Sequence, residues 1–373
     1  MGSTIYIIAG EESGDVYGAK LISELSRNKS NIQFKGIGGP RMISAGLVNS
    51  IVPIQEISVI GFWEVIKKIL FFKKIQRAVE NEIFDSNPSI IILIDYPGFN
   101  LSLIKRISGK VRSKIVYYVA PQAWAWKEKR VRILRDCVDS LICLFPFEVD
   151  WFRDRGVEAS YFGHPIASQA YHISKKGLKK ELGLDPSMTL ITLFPGSRNQ
   201  EYTKHFSLME QAASRIKSSN NKIQIAVGVA SGISVASKSN TGIHFERQDP
   251  QKLLQASDIA IIASGTATIE AAVYQTPMIV IYRLSFFSWL LSTALVRTKY
   301  ISMVNIILGR MLVPELLQTK ASVKNIVERT ESLINDSESR DIMLNGFDEI
   351  KNMLASRDPI KDAAEHITNK YAI

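Results

Sequence analysis

The chain has 373 residues, of which 46% are hydrophobic and 22% are charged. This composition is that of a folded globular protein, and it excludes a disordered chain, a repeat array and a low-complexity linker. One hydrophobic core is unusual at this length, so we expect two domains. The formal net charge is +10, which favours anionic partners such as phosphorylated substrates, anionic lipid or nucleic acid.

The cysteine content and the N-terminus indicate a cytoplasmic protein. Cys137 and Cys143 match neither a metal-site spacing nor a redox pair, so we expect both to be reduced core residues. The N-terminus lacks the basic and long apolar regions of a secretory signal. No apolar run reaches the ~20 residues that a membrane-spanning helix needs. The nearest run, 284–291, is interrupted by serines and followed by Arg297 and Lys299, so it can contact a bilayer but not cross it.

Short apolar runs alternate with segments of helical periodicity in the first half of the chain. This alternation is typical of a parallel sheet covered by helices on both faces. We expect the first domain to close near Gly163-His164-Pro165. We predict strands at 5–9, 33–36, 90–95, 115–119, 140–145 and 159–162, and helices at 15–26, 62–84 and 100–107.

The second half repeats the alternation and then becomes helical. We predict strands at 190–194, 222–227, 243–246, 259–263 and 278–281, and helices at 201–217 and 267–274. From residue 321 onward the pattern indicates helices only. The predicted fold class is therefore α/β, with two Rossmann-like doubly wound parallel-sheet domains and C-terminal helices. The expected boundaries are 1–166, 167–345 and 346–373, with the last helix packing back on the first domain.

Two strand-to-helix turns in the second half have the composition of a phosphate site. The first is Pro195-Gly196-Ser197-Arg198, and the second is Ser264-Gly265-Thr266, with Glu270 one helical turn later. Small residues let backbone N–H groups approach an anion, and the following helix directs its positive end to the same place. Arg198 can neutralise a diphosphate, whereas Glu270 suits ribose hydroxyls. Together the turns predict a nucleoside diphosphate site, although capping alone also favours such residues at helix starts.

The loops that follow the first-half strands are also rich in glycine, acidic and aromatic residues. Ligands in open α/β sheets bind at the carboxyl ends of the strands. Asp95 follows the apolar run 90–94 directly, which places a carboxylate at that edge. The alternative interpretation is an aspartate that caps the following helix.

In order along the chain, these loops resemble those of the lipid-A-disaccharide synthases, which are inverting glycosyltransferases of the two-Rossmann-domain type, known as GT-B. The resemblance covers nearly the whole chain. The motifs that carry it are residues 9–15 with Gly18-Ala19, Gly39-Pro40-Arg41-Met42, Ile94-Asp95-Tyr96-Pro97 with Phe99-Asn100, Trp124-Ala125-Trp126 with Lys129-Arg130-Val131, Leu144-Phe145-Pro146-Phe147-Glu148, Gly163-His164-Pro165, 195–198 with Glu201, 263–268 with Glu270, and 313–318.

The resemblance implies transfer of 2,3-diacylglucosamine from its UDP derivative to 2,3-diacylglucosamine 1-phosphate. The products would be a β-1,6-linked disaccharide 1-phosphate and UDP. The family's general base matches Asp95 in the acceptor domain, and Arg198 would stabilise the leaving diphosphate. The donor-binding residues that the resemblance implies in the second domain are Gly196, Ser197, Arg198, Ser264, Gly265, Thr266, Glu270, Asn305 and Gln318.

The acceptor side and the cofactor requirement follow from the same resemblance. The family commonly has Asp where Gly98 stands and Pro where Val304 stands, so a second carboxylate beside Asp95 and a rigid turn before Asn305 are absent. No set of metal-ligand residues is evident, so we expect a metal-independent enzyme without a cofactor, the UDP-sugar being a substrate. The residues expected at the acceptor or in the cleft are Glu11, Ser13, Gly14, Asp15 and His164. For the Gly10–Asp15 loop and for His164, packing is an alternative role.

The segment 59–74 interleaves aromatic and aliphatic residues with four lysines. This pattern favours an interfacial helix, because apolar groups can enter the headgroup boundary while lysines meet anionic lipid. A buried helix with a basic outer face is the alternative. We expect a protein that is peripherally bound to the inner leaflet of the bacterial inner membrane. A homodimer is a further possibility that the sequence does not decide. The expected membrane-contacting residues are Phe62, Trp63, Ile66, Lys67, Phe71 and Phe72.

Other functions compete with this interpretation. Within GT-B enzymes they are a UDP-N-acetylglucosamine 2-epimerase and the peptidoglycan glycosyltransferase. A non-enzymatic alternative is a basic peripheral protein that binds anionic lipid or nucleic acid, for which the net charge would be the whole explanation. A dehydrogenase is disfavoured because no G-x-G-x-x-G follows the first strand.

Overall fold

The computed structural model of the chain describes residues 3–29, 31–48, 50–57, 69–168, 172–233, 242–284, 298–356 and 358–372. The chain folds into two compact units. The first unit comprises Met1–Pro165 together with Ser356–Ile373, and the second comprises Ile166–Ala355.

The first unit is built on a sheet of seven parallel strands. They lie side by side in the order β3-β2-β1-β4-β5-β6-β7. At the carboxyl edge Ala9 pairs with Ile94, and Ile94 pairs with Tyr118. In chain order the strands are β1 (Ser3–Ala9), β2 (Ile32–Ile37), β3 (Leu47–Val48), β4 (Ile90–Ile94), β5 (Lys114–Tyr118), β6 (Ser140–Cys143) and β7 (Ala159–Tyr161).

The second unit contains a six-stranded parallel sheet. The strands lie in the order β10-β9-β8-β11-β12-β13, which is the same pattern of neighbours as in the first six positions of the first sheet. In chain order they are β8 (Thr189–Phe194), β9 (Ile223–Gly228), β10 (His244–Glu246), β11 (Ile259–Ala263), β12 (Met278–Tyr282) and β13 (Glu315–Leu317).

Helices connect the strands in both units. In chain order, the described α-helices are α1 (Glu12–Asn28), α2 (Pro40–Ser44), α3 (Ile54–Ile57), α4 (Ile69–Ser86), α5 (Pro97–Ile107), α6 (Arg130–Cys137), α7 (Pro146–Arg153), α8 (Lys175–Glu181), α9 (Asn199–Ser219), α10 (Pro250–Ala256), α11 (Ala267–Val273), α12 (Met303–Leu308), α13 (Val323–Asn335), α14 (Ser337–Leu354) and α15 (Pro359–Tyr371). Short 3₁₀ helices occupy Pro165–Ser168 and Gln318–Lys320.

Both faces of the first sheet are covered, which explains the uninterrupted apolar sequence of its central strand β4. Tyr6 and Ile8 of β1 point into a core shared with α4 and α5. Ile5 and Ile7 point into a second core, which α1 and α15 complete on the other face. Since successive side chains of a strand alternate between faces, a strand buried on both sides must be apolar at every position.

The predicted fold class is confirmed, and most predicted elements are present within one to three residues of their expected ends. The strands β3 and β13 were not predicted, because runs of two and three residues carry no readable periodicity. Of the helix predicted at 62–84, residues 69–84 fall within α4, and its first part lies outside the described residues. Both cysteines are free, Cys143 being buried and Cys137 half-buried.

The C-terminal boundary differs from the expected one. The expected third segment, 346–373, begins in the middle of α14, which stays in the second unit and packs on α11 and α12. Within the expected third segment, the residues that belong to the first unit begin at Ser356. Both α14 and α15 have one apolar face, so periodicity does not tell which sheet each helix covers. The chain passes from one unit to the other between Leu354 and Pro359.

The contribution of α15 to the first unit can be measured by removing one buried side chain. Ile367 is fully buried in the core shared with α1. We expect Ile367→Ala to lower the free energy of unfolding by about 2–5 kcal/mol, because it leaves a cavity in that core. Urea unfolding followed by circular dichroism measures the change. The matched control is Glu365→Ala on the exposed face of the same helix; equal effects of the two variants would contradict the packing of α15 on the sheet.

Candidate active site

The order of the strands creates one ligand-binding edge in each unit. In the first sheet the order reverses between β1 and β4, which are neighbours. The helix that follows β1 packs on one face of the sheet, and the helix that follows β4 packs on the other. The two connections therefore diverge and leave a crevice at the carboxyl ends of these strands. Gly10 and Glu11 follow β1 at this point, and Asp95 follows β4.

Asp95 lies in a strained turn that several hydrogen bonds hold in place. Asp95 and Tyr96 have φ angles of +44° and +47°, a left-handed conformation that costs a residue other than glycine roughly 1–2 kcal/mol. The Asp95 N–H donates to the Tyr118 carbonyl at 2.9 Å. The Asp95 carbonyl accepts from Asn100 Nδ2 at 2.7 Å and from the Tyr117 hydroxyl at 2.6 Å. These bonds compensate for the strain and fix the direction of the carboxylate.

The environment makes Asp95 a stronger base than a free aspartate. Burial raises the pKa of its carboxyl group to about 6, and the nearby Glu11 acts in the same direction. A hydrogen bond from the Tyr96 N–H and the charge of Arg130 oppose these effects. Asp95 is half-buried, and the N-cap residue of α5 is Tyr96 rather than Asp95. The structure therefore does not support the alternative interpretation of Asp95 as a simple helix cap.

Gly10 makes room for the aromatic ring beside Asp95. A Cβ atom at Gly10 would lie 2.2 Å from Cδ1 of Tyr96. The Tyr96 ring stacks on Phe99 with 5.8 Å between centroids, and its hydroxyl donates to the Ile57 carbonyl at 2.7 Å. The small residue after β1 thus serves close packing of two adjacent turns.

The other residues expected at the acceptor divide into exposed and structural ones. Glu11 and Ser13 are exposed, and Gly14 is buried against Ala9. The Asp15 carboxylate is buried and accepts hydrogen bonds from the N–H groups of Gly39, Arg41 and Met42 at 2.7–3.1 Å. Asp15 therefore holds the start of α2, which agrees with a packing role for this part of the loop.

His164 is buried and packs against Phe145, with 5.3 Å between the ring centroids. Burial lowers the pKa of its imidazole to about 4, so the ring is neutral at physiological pH. We therefore do not expect a charged contact between His164 and a ligand. The buried ring beside Phe145 agrees with the alternative role in packing.

Glu148 has a buried carboxylate. It belongs to a motif of the family resemblance, but the sequence assigned no role to it. It accepts a hydrogen bond from Trp124 Nε1 at 2.8 Å and from the N–H groups of Leu144 and Phe145 at 3.1 Å. Burial raises the pKa of Glu148 to about 7, while these three donors lower it. As residue N3 of α7 it caps that helix and ties it to the loop that follows β5.

The second sheet reverses its strand order between β8 and β11, so the two predicted phosphate turns lie side by side at its carboxyl edge. Gly196 has a φ of +118°, and a Cβ atom there would lie 2.8 Å from the Cβ atom of Glu201. Gly265 has a φ of +139°, and no described atom lies within 4 Å of the position of its absent Cβ. Both turns therefore require glycine, and the second one is open above its backbone.

Arg198 is the N-cap residue of α9, and its guanidinium is exposed. Its Nη1 lies 3.4 Å from Oε1 of Glu201 one turn later, which orients the guanidinium without burying it. Ser197 beside it is also exposed. An exposed cation at the N-terminus of a long helix is available to an anionic ligand.

Glu270 lies in the first turn of α11, half-buried, and burial raises the pKa of its carboxyl group. Gln251 Nε2 donates to its Oε1 at 3.0 Å, so one carboxylate oxygen is occupied. The Ser264 hydroxyl donates to the Ile301 carbonyl at 2.9 Å, while Thr266 is exposed at the N-cap of α11. The turn thus offers a carboxylate and exposed backbone on one side of the sheet.

His205 was not predicted, and it connects the first phosphate turn to the neighbouring strand ends. Its Nδ1 lies 3.0 Å from the Pro195 carbonyl, and its Nε2 accepts from the Arg283 N–H at 3.0 Å. These partners fix the neutral tautomer with the proton on Nδ1. Arg283 Nε in turn donates to the Gln318 carbonyl at 3.2 Å. Gln318 Nε2 is buried and has no hydrogen-bond partner in the described part of the chain, so this amide is free to donate to a ligand.

Asn305, which the resemblance implied near the donor, makes four side-chain hydrogen bonds within the protein. Its Nδ2 donates to the Val313 carbonyl and to Glu315 Oε1, and its Oδ1 accepts from the N–H groups of Leu312 and Val313. All four contacts are 2.7–3.0 Å long. The fully buried amide is thus used within the protein, where it holds the segment that leads into β13.

The expected membrane-contacting residues are only partly within the described chain. Phe62, Trp63, Ile66 and Lys67 lie outside it. Phe71 and Phe72 are half-buried and pack against the core of the first unit, whereas Leu70 beside them is 80% exposed. None of the described helices is apolar and long enough to span a bilayer, and the residues that the structure describes contain no cluster of three His, Cys, Asp or Glu side chains suited to a metal ion.

Comparison with known proteins identifies the family. The family model for lipid-A-disaccharide synthetase matches residues 5–367. The chain is 32% identical to a lipid-A-disaccharide synthase of Legionella pneumophila, with 95% of this chain and 94% of the relative covered. It is 34% identical to the enzyme of Anaeromyxobacter sp. strain K, with 93% and 92% covered, and 35% identical to that of Solibacter usitatus, with 95% and 93% covered.

Solved structures share the fold at low sequence identity. The S. aureus MnaA structure with UDP has a TM-score of 0.69 at 10% identity, covering 100% of this chain and 97% of that one. The calicheamicin glycosyltransferase CalG4 has a TM-score of 0.62 at 14% identity, covering 99% and 98%. These structures show the fold alone, and the family model with its sequence relatives does not favour the competing functions. The chain therefore belongs to the lipid-A-disaccharide synthase family and is a glycosyltransferase of lipid A biosynthesis with nucleotide-sugar and lipid-phosphate substrates.

Proposed function

We propose that the chain transfers 2,3-diacylglucosamine from UDP to 2,3-diacylglucosamine 1-phosphate, with the base on the first unit and the UDP site on the second. The observation that carries this assignment is the Asp95 turn. A carboxylate is held there at the ligand edge by a strained backbone, and its raised pKa suits proton removal. Family membership supports the same assignment of substrates.

The reaction is a direct displacement at the anomeric carbon. The Asp95 carboxylate takes the proton of the acceptor hydroxyl as the oxygen attacks this carbon. The bond between the anomeric carbon and the diphosphate oxygen breaks, and its electron pair stays on the β-phosphate as UDP leaves. Attack opposite to the leaving group inverts the configuration and gives the β linkage. Arg198, exposed beside the N-terminus of α9, stabilises the charge that develops on the diphosphate.

The residues of the second unit divide the donor between them. Gly196, Ser197 and Arg198 face the diphosphate together with the open turn at Ser264, Gly265 and Thr266. Glu270, with one oxygen held by Gln251, accepts from ribose hydroxyls. Gln318 Nε2, for which the described part of the chain offers no acceptor, donates to the UDP-sugar, while Gln318 Oε1 accepts from the Leu284 N–H. Asn305 acts indirectly by shaping the loop before β13. UDP appears in the name of the MnaA structure, which agrees with a uridine nucleotide on this fold.

The setting is the cytoplasmic side of the inner membrane, where acylated substrates reside. The exposed Leu70 at the start of α4 is consistent with a peripheral contact in that region, and the net charge of +10 attracts an anionic surface. We expect no metal ion or cofactor to take part in the transfer, because Arg198 and the two helix N-termini supply the positive charge that the leaving group needs.

The role of Asp95 is tested by Asp95→Asn, which keeps the shape but cannot accept the proton. We expect the kcat for disaccharide formation to fall by about 10²–10⁴-fold, with UDP binding unchanged. Mass spectrometry of the products and calorimetry with UDP measure the two quantities. Asp150→Asn on α7 is the control, since its carboxylate is far in sequence from the turn and is exposed. Full activity of the Asp95 variant would sink the assignment.

The pH dependence of the reaction follows from the raised pKa of Asp95. A base must be ionised, so activity should rise with pH and level off above about pH 6. Because the negative charge of Glu11 raises the pKa of Asp95, Glu11→Gln should move this limb to lower pH. The measurement is kcat/KM for the acceptor from pH 4.5 to 8, a range of roughly two units on either side of the pKa. Glu12→Gln, an exposed neighbour that pairs with Arg41, should leave the limb in place; a shift to higher pH in the Glu11 variant would contradict this coupling.

The leaving-group role of Arg198 is tested by Arg198→Ala and Arg198→Lys. We expect the alanine variant to lose about 10²–10³-fold in kcat. The lysine variant should recover only part of this loss, because lysine lacks the planar fork of donors. Steady-state kinetics of UDP release measures both, with the exposed Arg215→Ala on the same helix as control. Equal losses in all three variants would point to disruption of α9 instead.

A further inference from the structure

The loop between β5 and α6 is anchored in the protein although it has no regular secondary structure. Trp124 is buried, and its indole N–H donates to the buried Glu148 at 2.8 Å. Its ring packs edge-on against Phe147, with 5.0 Å between centroids. A hydrogen bond to a buried carboxylate fixes orientation as well as position. The residues that follow Trp124 therefore have a defined place at the carboxyl edge of the first sheet.

Two cations lie over the ring of the next tryptophan. Trp126 is exposed; Lys127 Nζ lies 4.3 Å from its ring centroid and Arg130 Cζ 4.9 Å from it. Lys127 has a φ of +56°, a conformation that residues other than glycine adopt at a cost and that clusters at ligand sites. Cation–π contacts of this kind hold both charged groups in position.

These two cations have no carboxylate within ion-pair distance among the described residues, in contrast to the neighbouring arginines. Arg132 and Arg135 of α6 both pair with Asp136, at 3.5 and 3.0 Å. Burial and the charge of Arg130 lower the pKa of Lys127, which shows that the two positive groups repel each other. An uncompensated pair of cations attracts a dianion more strongly than either cation alone.

Arg130 also lies within electrostatic reach of the reaction centre. Helix α6, which begins at Arg130, packs on α5, which begins two residues after Asp95. Burial lowers the pKa of Arg130, and the charges of Tyr117 and Asp95 oppose this effect. An acceptor whose hydroxyl lies beside Asp95 can therefore extend its other end toward the start of α6.

We propose that Lys127 and Arg130, which the Trp126 ring holds in position, bind the phosphomonoester of the acceptor. Binding of the phosphate at one end of the sugar then positions the hydroxyl at the other end beside Asp95. This assignment rests on the proposed role of Asp95 as the base. The arginine supplies a fork of donors to two phosphate oxygens, and the lysine adds a point charge. The same phosphate chemistry occurs in lipid headgroups and in the donor diphosphate, and the experiment separates these sources.

The test compares two acceptors on two forms of the protein. The acceptors are 2,3-diacylglucosamine 1-phosphate and the uncharged methyl glycoside of 2,3-diacylglucosamine, both in neutral detergent micelles. We expect the wild-type protein to bind the phosphorylated acceptor about 10–100-fold more tightly, the range that charged hydrogen bonds give. In Arg130→Gln this preference should largely disappear, because the variant loses affinity for the phosphorylated acceptor alone. Calorimetric binding measures this without turnover.

Kinetics and matched controls complete the test. Arg130→Gln and Lys127→Gln should raise KM for the phosphorylated acceptor and leave KM for the UDP-sugar unchanged. Arg132→Gln, on the same helix but paired with Asp136, should change neither. Equal losses of affinity for both acceptors, or a raised KM for the UDP-sugar, would overturn the assignment. Circular dichroism and Arg130→Lys, which restores the charge, separate a loss of the site from a loss of folding.

Vesicles distinguish a lipid headgroup from the acceptor phosphate. If Arg130→Gln weakens binding to phosphatidylglycerol vesicles while the preference for the phosphorylated acceptor persists, the cations serve the membrane and the assignment is wrong. Failure of the proposed function has a different signature. In that case the wild-type protein would bind the phosphorylated acceptor with the Arg130-dependent preference but form no disaccharide, which supports the phosphate site and contradicts the role of Asp95.

Discussion

The order of the parallel strands is the constraint on which both candidate sites depend. In each unit the first strand in the chain lies between two groups of strands that were added in opposite directions across the sheet. Its neighbour on the second side is β4 in one sheet and β11 in the other. Connections from such neighbours must leave toward opposite faces, which opens a space at the carboxyl edge without any special side chain. The chemistry then depends on which residues occupy those few positions. Carboxylates do so in the first unit, and glycines with an arginine in the second, so the same topology yields a basic group in one and an anion site in the other.

The two sites achieve precision by different means. In the second unit glycines with positive φ bring backbone N–H groups to the surface, and no strain results because glycine adopts this conformation freely. In the first unit two residues other than glycine adopt left-handed conformations in succession, and partly buried hydrogen bonds from Asn100 and Tyr117 to the Asp95 carbonyl hold them there. The carboxylate is thus positioned by its backbone and accepts a hydrogen bond from the Tyr96 N–H, which leaves oxygen lone pairs free to take up a proton. A base needs that freedom, since each additional donor to its oxygens would lower its pKa.

Much of this arrangement could be predicted from the sequence, and the limit of prediction has a physical cause. Apolar runs ending in Gly, Ser or Asp indicated the strands, their edge and the residues at it, because these signals are local. The partner of each polar side chain is not local. Asp15 accepts from N–H groups 24–27 residues away. The Asn305 amide bonds to Glu315 of β13 and to the residues before that strand. The local sequence does not reveal either set of partners. His205 was not predicted, because the helical sequence pattern is the same for a histidine in solvent and for one that bonds to the residues after β8 and β12.

The buried Glu148 shows how the first unit fixes a surface loop from its interior. An apolar contact between Trp124 and α7 would bring the loop close but allow it to rotate, because such contacts have no direction. A carboxylate that accepts from the indole and from two backbone N–H groups sets both position and rotation. The burial of this charge has a cost: the pKa of Glu148 is raised to about 7, above its value in the unfolded chain, so its contribution to stability decreases as pH rises from about 4.5 toward 7. This linkage favours the folded state at low pH, while Asp95 requires a pH above about 6 to act as a base. The two carboxyl groups therefore have opposite pH requirements at one edge of the sheet. Burial is the main cause of the raised pKa of each, and the charge of Asp95 adds to the effect at Glu148.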